Sequence, residues 1–194
     1  MLLTQNETTS KPVLSALGTA DAKTDPLGLI PLPVDNRQRF LRLRLSQRND
    51  TLLPLDQILE VLQLPVEDIF PVPDVSSSIL GVCSWRGETL WLVDLNHLVG
   101  YTLLCQQVQT LASVVVIIVQ HDGRSLGLAV EQAVDVDLFD EQEIRMESGL
   151  CPPELEPFVS GYCPQQGGTV LNVSAIVNAP QLQSHRQQLL PPTN

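Results

Sequence analysis

The chain has 194 residues, is 43% hydrophobic with 4% aromatic residues, and carries a formal net charge of −11 at pH 7. Its apolar content supports one sizeable domain or two small ones and excludes fibrous or collagen-like classes. Both lysines, Lys11 and Lys23, lie near the N-terminus, and the acidic remainder repels phosphate backbones and anionic lipid; this disfavours nucleic acid and membrane surfaces and leaves protein partners.

No apolar run approaches the roughly 20 residues that a spanning helix needs. The longest, Val114 to Val119, has the length of a strand, so no membrane insertion is expected. The opening MLLTQNETTSK has neither a basic n-region nor a long apolar h-region, which makes the cytoplasm the expected compartment. Cys83, Cys105, Cys151 and Cys163 form no CxxC pair and have no histidine at ligand spacing. They read as reduced thiols packed as small hydrophobes, with no metal site and no cofactor.

Residues 1 to 36 bear Thr, Ser, Pro and scattered charge without a sustained period and read as a flexible leader, within which Leu27 to Val34 is unusually apolar. Folding logic covers residues 37 to 180. Leu41, Leu43 and Leu45 alternate with Arg42 and Arg44, as in a half-exposed strand, and Thr51 to Leu55 predicts a second strand after a polar turn. The period then changes. Leu55, Ile58, Leu59 and Leu62 fall at i, i+3, i+4 and i+7, which predicts a short amphipathic helix over Asp56 to Leu62 with Glu60 and Val61 on its other side. The proline-punctuated segment Pro65 to Asp74 reads as a loop.

Ile79 to Gly100, ILGVCSWRGETLWLVDLNHLVG, is the centre of the chain. Two apolar, β-rich runs flank Arg86-Gly87, which predicts a tight hairpin with the positive φ at Gly87 and the arginine at the tip. Asp94 ends the second strand and can cap a short helix through Leu95, Leu98 and Val99, with Gly100 as its stop. After Tyr101 and a Gln-rich bridge comes the β-branched run Ser113 to His121, an Asp122-Gly123 turn signal, and the returning strand Ser125 to Val130. Val134, Val136 and Leu138 alternate with acids, as in an outer strand. A loop with Pro152-Pro153 and Pro157 leads to strands at Val159 to Cys163 and Thr169 to Asn172, and to a helical close at Val173 to Val177. Residues 181 to 194 are Gln-rich and read as a frayed tail. The second half repeats the layout of the first, so the fold class is mainly β: two small barrels sharing one core, with a few short helices.

Over about residues 38 to 180 the chain resembles the CheW-like domain family, the coupling modules of bacterial chemosensory arrays. The hairpin signature "G-v-x-N-x-R-G … vvDL" appears as Gly81-Val82-Cys83-Ser84-Trp85-Arg86-Gly87 followed by Val93-Asp94-Leu95. The "P-x-x-x-v-x-E-v" helix appears as Pro54, Ile58, Glu60 and Val61, and the later "v-G-l-x-V-d" strand as Gly127, Leu128, Ala129 and Val130. The resemblance implies two five-stranded β-barrel subdomains around a common hydrophobic core. It also implies a non-enzymatic adaptor that joins methyl-accepting chemoreceptors to a CheA-type histidine kinase. In that family the kinase's regulatory domain has the same fold and alternates with the coupler in rings, while the receptor tip lies in a groove between the barrels. The protein itself would be cytoplasmic and reach membrane arrays through protein contacts. Two positions depart from the signature: Ser84 replaces its asparagine and Trp91 the usual proline. Variants in the family serve twitching motility or phototaxis, and a divergent signature suits such a system.

Arg86 is the leading partner-binding residue, because a guanidinium offers five donors in a rigid fork suited to carboxylates and the family's matching arginine is implicated in coupling. Its alternative is a solvated hairpin tip or an internal pair with Glu60, which the family pattern places nearby. Gly87 forms the turn beside it. Glu60 and Val61 are further partner-binding candidates, and Trp85 is either core or an anchor adjacent to the arginine. Gly81 and Asp94 read as structural, Asp94 as an N-cap. The acids from Glu131 to Glu147 read as a solvated face.

Catalysis lacks a constellation: His97, His121 and His185 sit apart, and no Gly-rich phosphate loop occurs. An enzyme would require Asp122, His121 and Asp94 to converge in a pocket. A further alternative keeps the fold but makes the protein a scaffold that recruits a non-receptor partner through its leader or tail.

Overall fold

A computed structural model describes residues 37–46, 49–102, 104, 112–146, 149, 151–164 and 167–183. The expected leader, most of the Gln-rich bridge with Cys105, and the tail beyond residue 183 lie outside the described residues. Among the described residues ten strands follow in order: β1 Gln38–Ser46, β2 Asn49–Pro54, β3 Ile58–Pro65, β4 Ile79–Trp85, β5 Glu88–Asp94, β6 Ser113–His121, β7 Arg124–Val130, β8 Gln132–Phe139, β9 Val159–Cys163 and β10 Gly168–Leu171. Short helices α1 Leu95–Leu98 and α2 Val173–Val177 follow β5 and β10, and α3 Pro180–Gln183 follows α2. Leu182 of α3 is buried, so the packed chain runs slightly past residue 180.

The strands form two five-stranded sheets, ordered β8-β1-β2-β10-β9 and β3-β6-β7-β5-β4. Each sheet has one parallel contact, β2 with β10 and β7 with β5, and antiparallel pairs elsewhere. The two sheets thus share one topology, yet neither is built from one half of the chain. The first sheet takes β1 and β2 from the first half and β8 to β10 from the second; the second takes β3 to β5 and then β6 and β7. The repeat expected from the sequence is present, with its halves interlocked.

Alternation of side chains across each strand sorts the core into three parts. Phe40, Leu52, Phe139, Cys163 and Val170 fill the interior of the first sheet. Leu64, Cys83, Leu90, Leu92, Val114, Val116, Ile118 and Ala129 fill that of the second. The opposite faces meet between the sheets, where Leu41, Leu43 and Leu53 pack with Ile117, Val119 and Leu128 and with Leu95 and Ile176 from α1 and α2. Fully burying one such aliphatic side chain contributes about 1.5–3 kcal/mol, so this shared layer fastens the two sheets together.

The helix expected over Asp56 to Leu62 is absent: Leu55–Gln57 is one 3-10 turn, and Ile58 begins β3. Ile58, Glu60, Leu62 and Leu64 point inward while Leu59, Val61, Gln63 and Pro65 are exposed. Apolar residues on both faces of a strand mimic the helical spacing over so short a run. A seven-residue helix has a costly nucleus, whereas β6 offers β3 a full antiparallel ladder from Ile58↔Val119 to Pro65↔Ser113.

Matching the parallel ladders, in which Leu52 faces Val170 and Gly127 faces Leu92, sets Arg42 of β1 equivalent to Ile118 of β6. The second barrel fills this interior position with a buried isoleucine. The first fills it with a guanidinium whose Nε donates to Asp137 Oδ2 at 2.7 Å and whose Nη1 donates to Asp50 Oδ2 at 3.0 Å. A cation there requires both carboxylates, because an unpaired buried charge is strongly destabilising.

Candidate functional site

The β4–β5 hairpin closes through Arg86 (φ 52) and Gly87 (φ 82), two successive positive φ values as a type I′ turn requires. Glycine accepts that conformation without strain, whereas a long side chain in the left-handed region does not. Contacts to Arg86 offset the strain. Its Nη2 donates to Glu60 Oε2 at 3.0 Å, and its Cζ lies 4.7 Å from the centroid of the Trp85 ring. The Trp85 indole Nε1 donates to the same Glu60 oxygen at 3.0 Å.

The three residues join the two edges of one sheet, since Glu60 lies on β3 and Trp85 on β4. Glu60 points inward along β3, and Trp85 packs against the barrel interior, so the cluster closes the mouth of the second barrel. The indole hydrogen bond and, next, the Arg86 pair hold the Glu60 carboxyl below its ordinary value of 4.5 against an opposing desolvation. Arg86 keeps 65% of its side-chain surface exposed and Glu60 39%. The arrangement can therefore receive a carboxylate without first breaking the internal pair.

Val61 is exposed, on the opposite face of β3 from Glu60, with exposed Leu59 beside it. Gly81 has φ 144 at a register shift in β4, and a side chain there would collide with the Phe70 carbonyl. That closeness accompanies the Phe70↔Val82 bridge, which extends the pairing of β4 outward. Asp94 is fully buried; its carboxylate accepts from His97 N at 3.1 Å at the start of α1 and from Leu104 N at 2.7 Å.

Sequence reasoning missed one surface. Along β8, Val134, Val136 and Leu138 are the exposed row, 38–42% accessible. Asp137 instead turns toward Arg42, the reverse of a solvated acidic face at that residue. By register, Val136 of β8 faces Leu41 of β1 and Val61 of β3 faces Ile117 of β6, so the two exposed valines occupy equivalent places on the two barrels. The arginines of β1, adjacent to the acids of β8, were the signal that could have revealed this.

Asp122, His121 and Asp94 do not converge. His121 Nε2 lies 3.3 Å from Asp122 Oδ2 at the exposed β6–β7 tip, while Asp94 holds backbone N–H groups beneath α1. His97 Nε2 is 2.8 Å from Ser77 Oγ, and His185 lies outside the described residues. Cys83 and Cys163 are buried and Cys151 half-buried. Burial pushes the thiols of Cys83 and Cys151 up, which lowers their nucleophilicity at neutral pH.

Among curated proteins, sequence comparison finds no match. The crystal structure of the scaffolding protein TtCheW from Thermoanaerobacter tengcongensis aligns with a TM-score of 0.60 at 20% identity, over 70% of this chain and 89% of that one, which shows a shared fold. A family model described as the CheW-like domain matches residues 39–182. With most of its length inside that match, the chain belongs to the CheW-like domain family.

Proposed function

We propose that this protein is a non-enzymatic coupling adaptor of a chemosensory array, joining the tips of methyl-accepting chemoreceptors to a CheA-type histidine kinase through the kinase's regulatory domain. The observation that carries the reading is Arg86: a strained, largely exposed arginine held by Glu60 and Trp85 at the end of a rigid barrel. Strain at an exposed residue persists where the surroundings over-determine it, and such sites cluster where proteins meet ligands. Arg86, Gly87, Glu60 and Trp85 form the docking tip, while Gly81 within β4 and Asp94 at the far end of β5 have structural roles.

The exposed apolar rows on β3 and β8 add a second support. They sit at equivalent places on two barrels, as contacts for a partner of the same fold on either side would require. Among the described residues no helix is long and apolar enough to cross a membrane, which fits an adaptor that reaches an array through receptors.

The test is calorimetric titration against the regulatory domain of each CheA-type kinase of the same genome, with Arg86→Ala alongside. Micromolar binding to one kinase, weakened at least about tenfold by the substitution, supports the reading. Absence of binding to any kinase domain or receptor tip rejects it.

A further inference from the structure

An exposed arginine on a long stem ordinarily samples many rotamers and loses that freedom on binding. Arg86 is held before any partner arrives, and Trp85 takes part in both contacts that hold it. The indole ring lies 4.7 Å from the guanidinium carbon, which is within cation–π range. The indole Nε1 also ties down the Glu60 oxygen that accepts from Arg86 Nη2. Trp85 is itself anchored, since its ring packs against the interior cluster of the second barrel. Without the indole donor, the Glu60 carboxylate would have only the arginine to orient it among the described residues.

We propose that Trp85 is a positioning residue for docking: by stacking on the guanidinium and tethering its counter-ion Glu60, it presents the remaining donors of the Arg86 fork, with the Nη2 hydrogen not given to Glu60 among them, to a carboxylate on the partner. This rests on the coupling reading and names the chemistry of the contact. Two parallel N–H donors match a carboxylate bidentately, and a preorganised fork loses less freedom on binding than a mobile one. The chain as a whole, with a formal net charge of −11, repels acidic surfaces, so affinity for an acidic side chain depends on placing this cation correctly.

The test is a double-mutant cycle with Trp85→Phe and Arg86→Ala, read by calorimetry against the kinase regulatory domain that binds the wild type. Phenylalanine keeps a ring beneath the guanidinium and removes the N–H donor. Trp85→Phe should weaken binding about three- to tenfold with Arg86 present and less than about twofold when Arg86→Ala is already made. Equal losses in both backgrounds overturn the proposal. A second arm needs no partner: NMR of the Glu60 carboxyl and the Arg86 Nε–H in the full chain. In Trp85→Phe the Glu60 midpoint should rise toward the ordinary carboxylate value and the Nε–H should exchange faster, with the unfolding temperature showing a folded protein. An unmoved midpoint and signal overturn the positioning role whether or not a partner binds. Failure of the wild type to bind any kinase domain rejects only the coupling reading.

Discussion

Two hairpin tips in one sheet share a backbone and differ in chemistry. Arg86-Gly87 between β4 and β5 has φ values of 52 and 82, and Asp122-Gly123 between β6 and β7 has 50 and 73. Aspartate enters the left-handed region readily because its short polar side chain can bond locally, and here it lies beside the adjacent His121. Arginine has no such local compensation and relies on Glu60, 26 residues away in sequence, and on the indole beside it. The β6–β7 tip carries what turn chemistry favours; the β4–β5 tip carries a residue that turn chemistry disfavours, with a tertiary cluster built around it. Such a mismatch between local preference and structure marks a functional position better than exposure does.

That contrast can be broken in four ways. The largest expected effect is on binding: Arg86→Ala should reduce affinity for the kinase regulatory domain at least about tenfold, or about 1.4 kcal/mol, while Asp122→Ala leaves it unchanged. Calorimetry of both variants side by side checks this, and equal effects would remove the distinction between the tips. Next, Asp122→Arg should destabilise the fold by about 1 kcal/mol in urea titration, because that tip, with His121 beside it, has no equivalent of the Glu60–Trp85 pair among the described residues. A neutral result would mean that the Arg86 cluster offsets no strain. Third, Arg86→Gly should leave stability unchanged or raise it by about 0.5 kcal/mol while losing binding as Arg86→Ala does. Stability and function would then part at one residue.

The smallest effect concerns pH. The Glu60 carboxyl is depressed, so its pairing is fully present above the ordinary value of 4.5 and is lost as pH falls through the lower, folded-state value. Partner affinity should therefore show no Glu60-dependent change between pH 8 and pH 6 and should decline only on acidification below the ordinary carboxylate range. Glu60→Gln should abolish that acid limb in binding measured across pH, and an identical limb in the variant would assign it to another group.

Much of this architecture was legible because it depends on neighbours along the chain. The Arg86-Gly87 turn, the apolar runs around it and the helix after Asp94 follow from residues within one hairpin and one helical turn. The repeated layout was visible for the same reason, and Asn172 caps α2 through Ala175 N at 3.0 Å as Asp94 caps α1. The segment from Asp56 to Leu62 misled because its apolar spacing fits both a helix and a two-faced strand, and the partner that decides between them, β6, begins only at Ser113.

By itself, then, the sequence determined the turns, the caps, the strand-rich class and the family signature, all of which rest on local conformational preference and short-range spacing. Tertiary structure decided that Glu60 lies on a strand and reaches Trp85 and Arg86, that Asp137 turns inward to Arg42, and that Val134, Val136 and Leu138 face out. It also decided that each sheet is completed by strands from the other half of the chain. The physical reason is common to all of these: which face of a strand is buried depends on the strand that pairs with it, and here that strand lies far away along the chain.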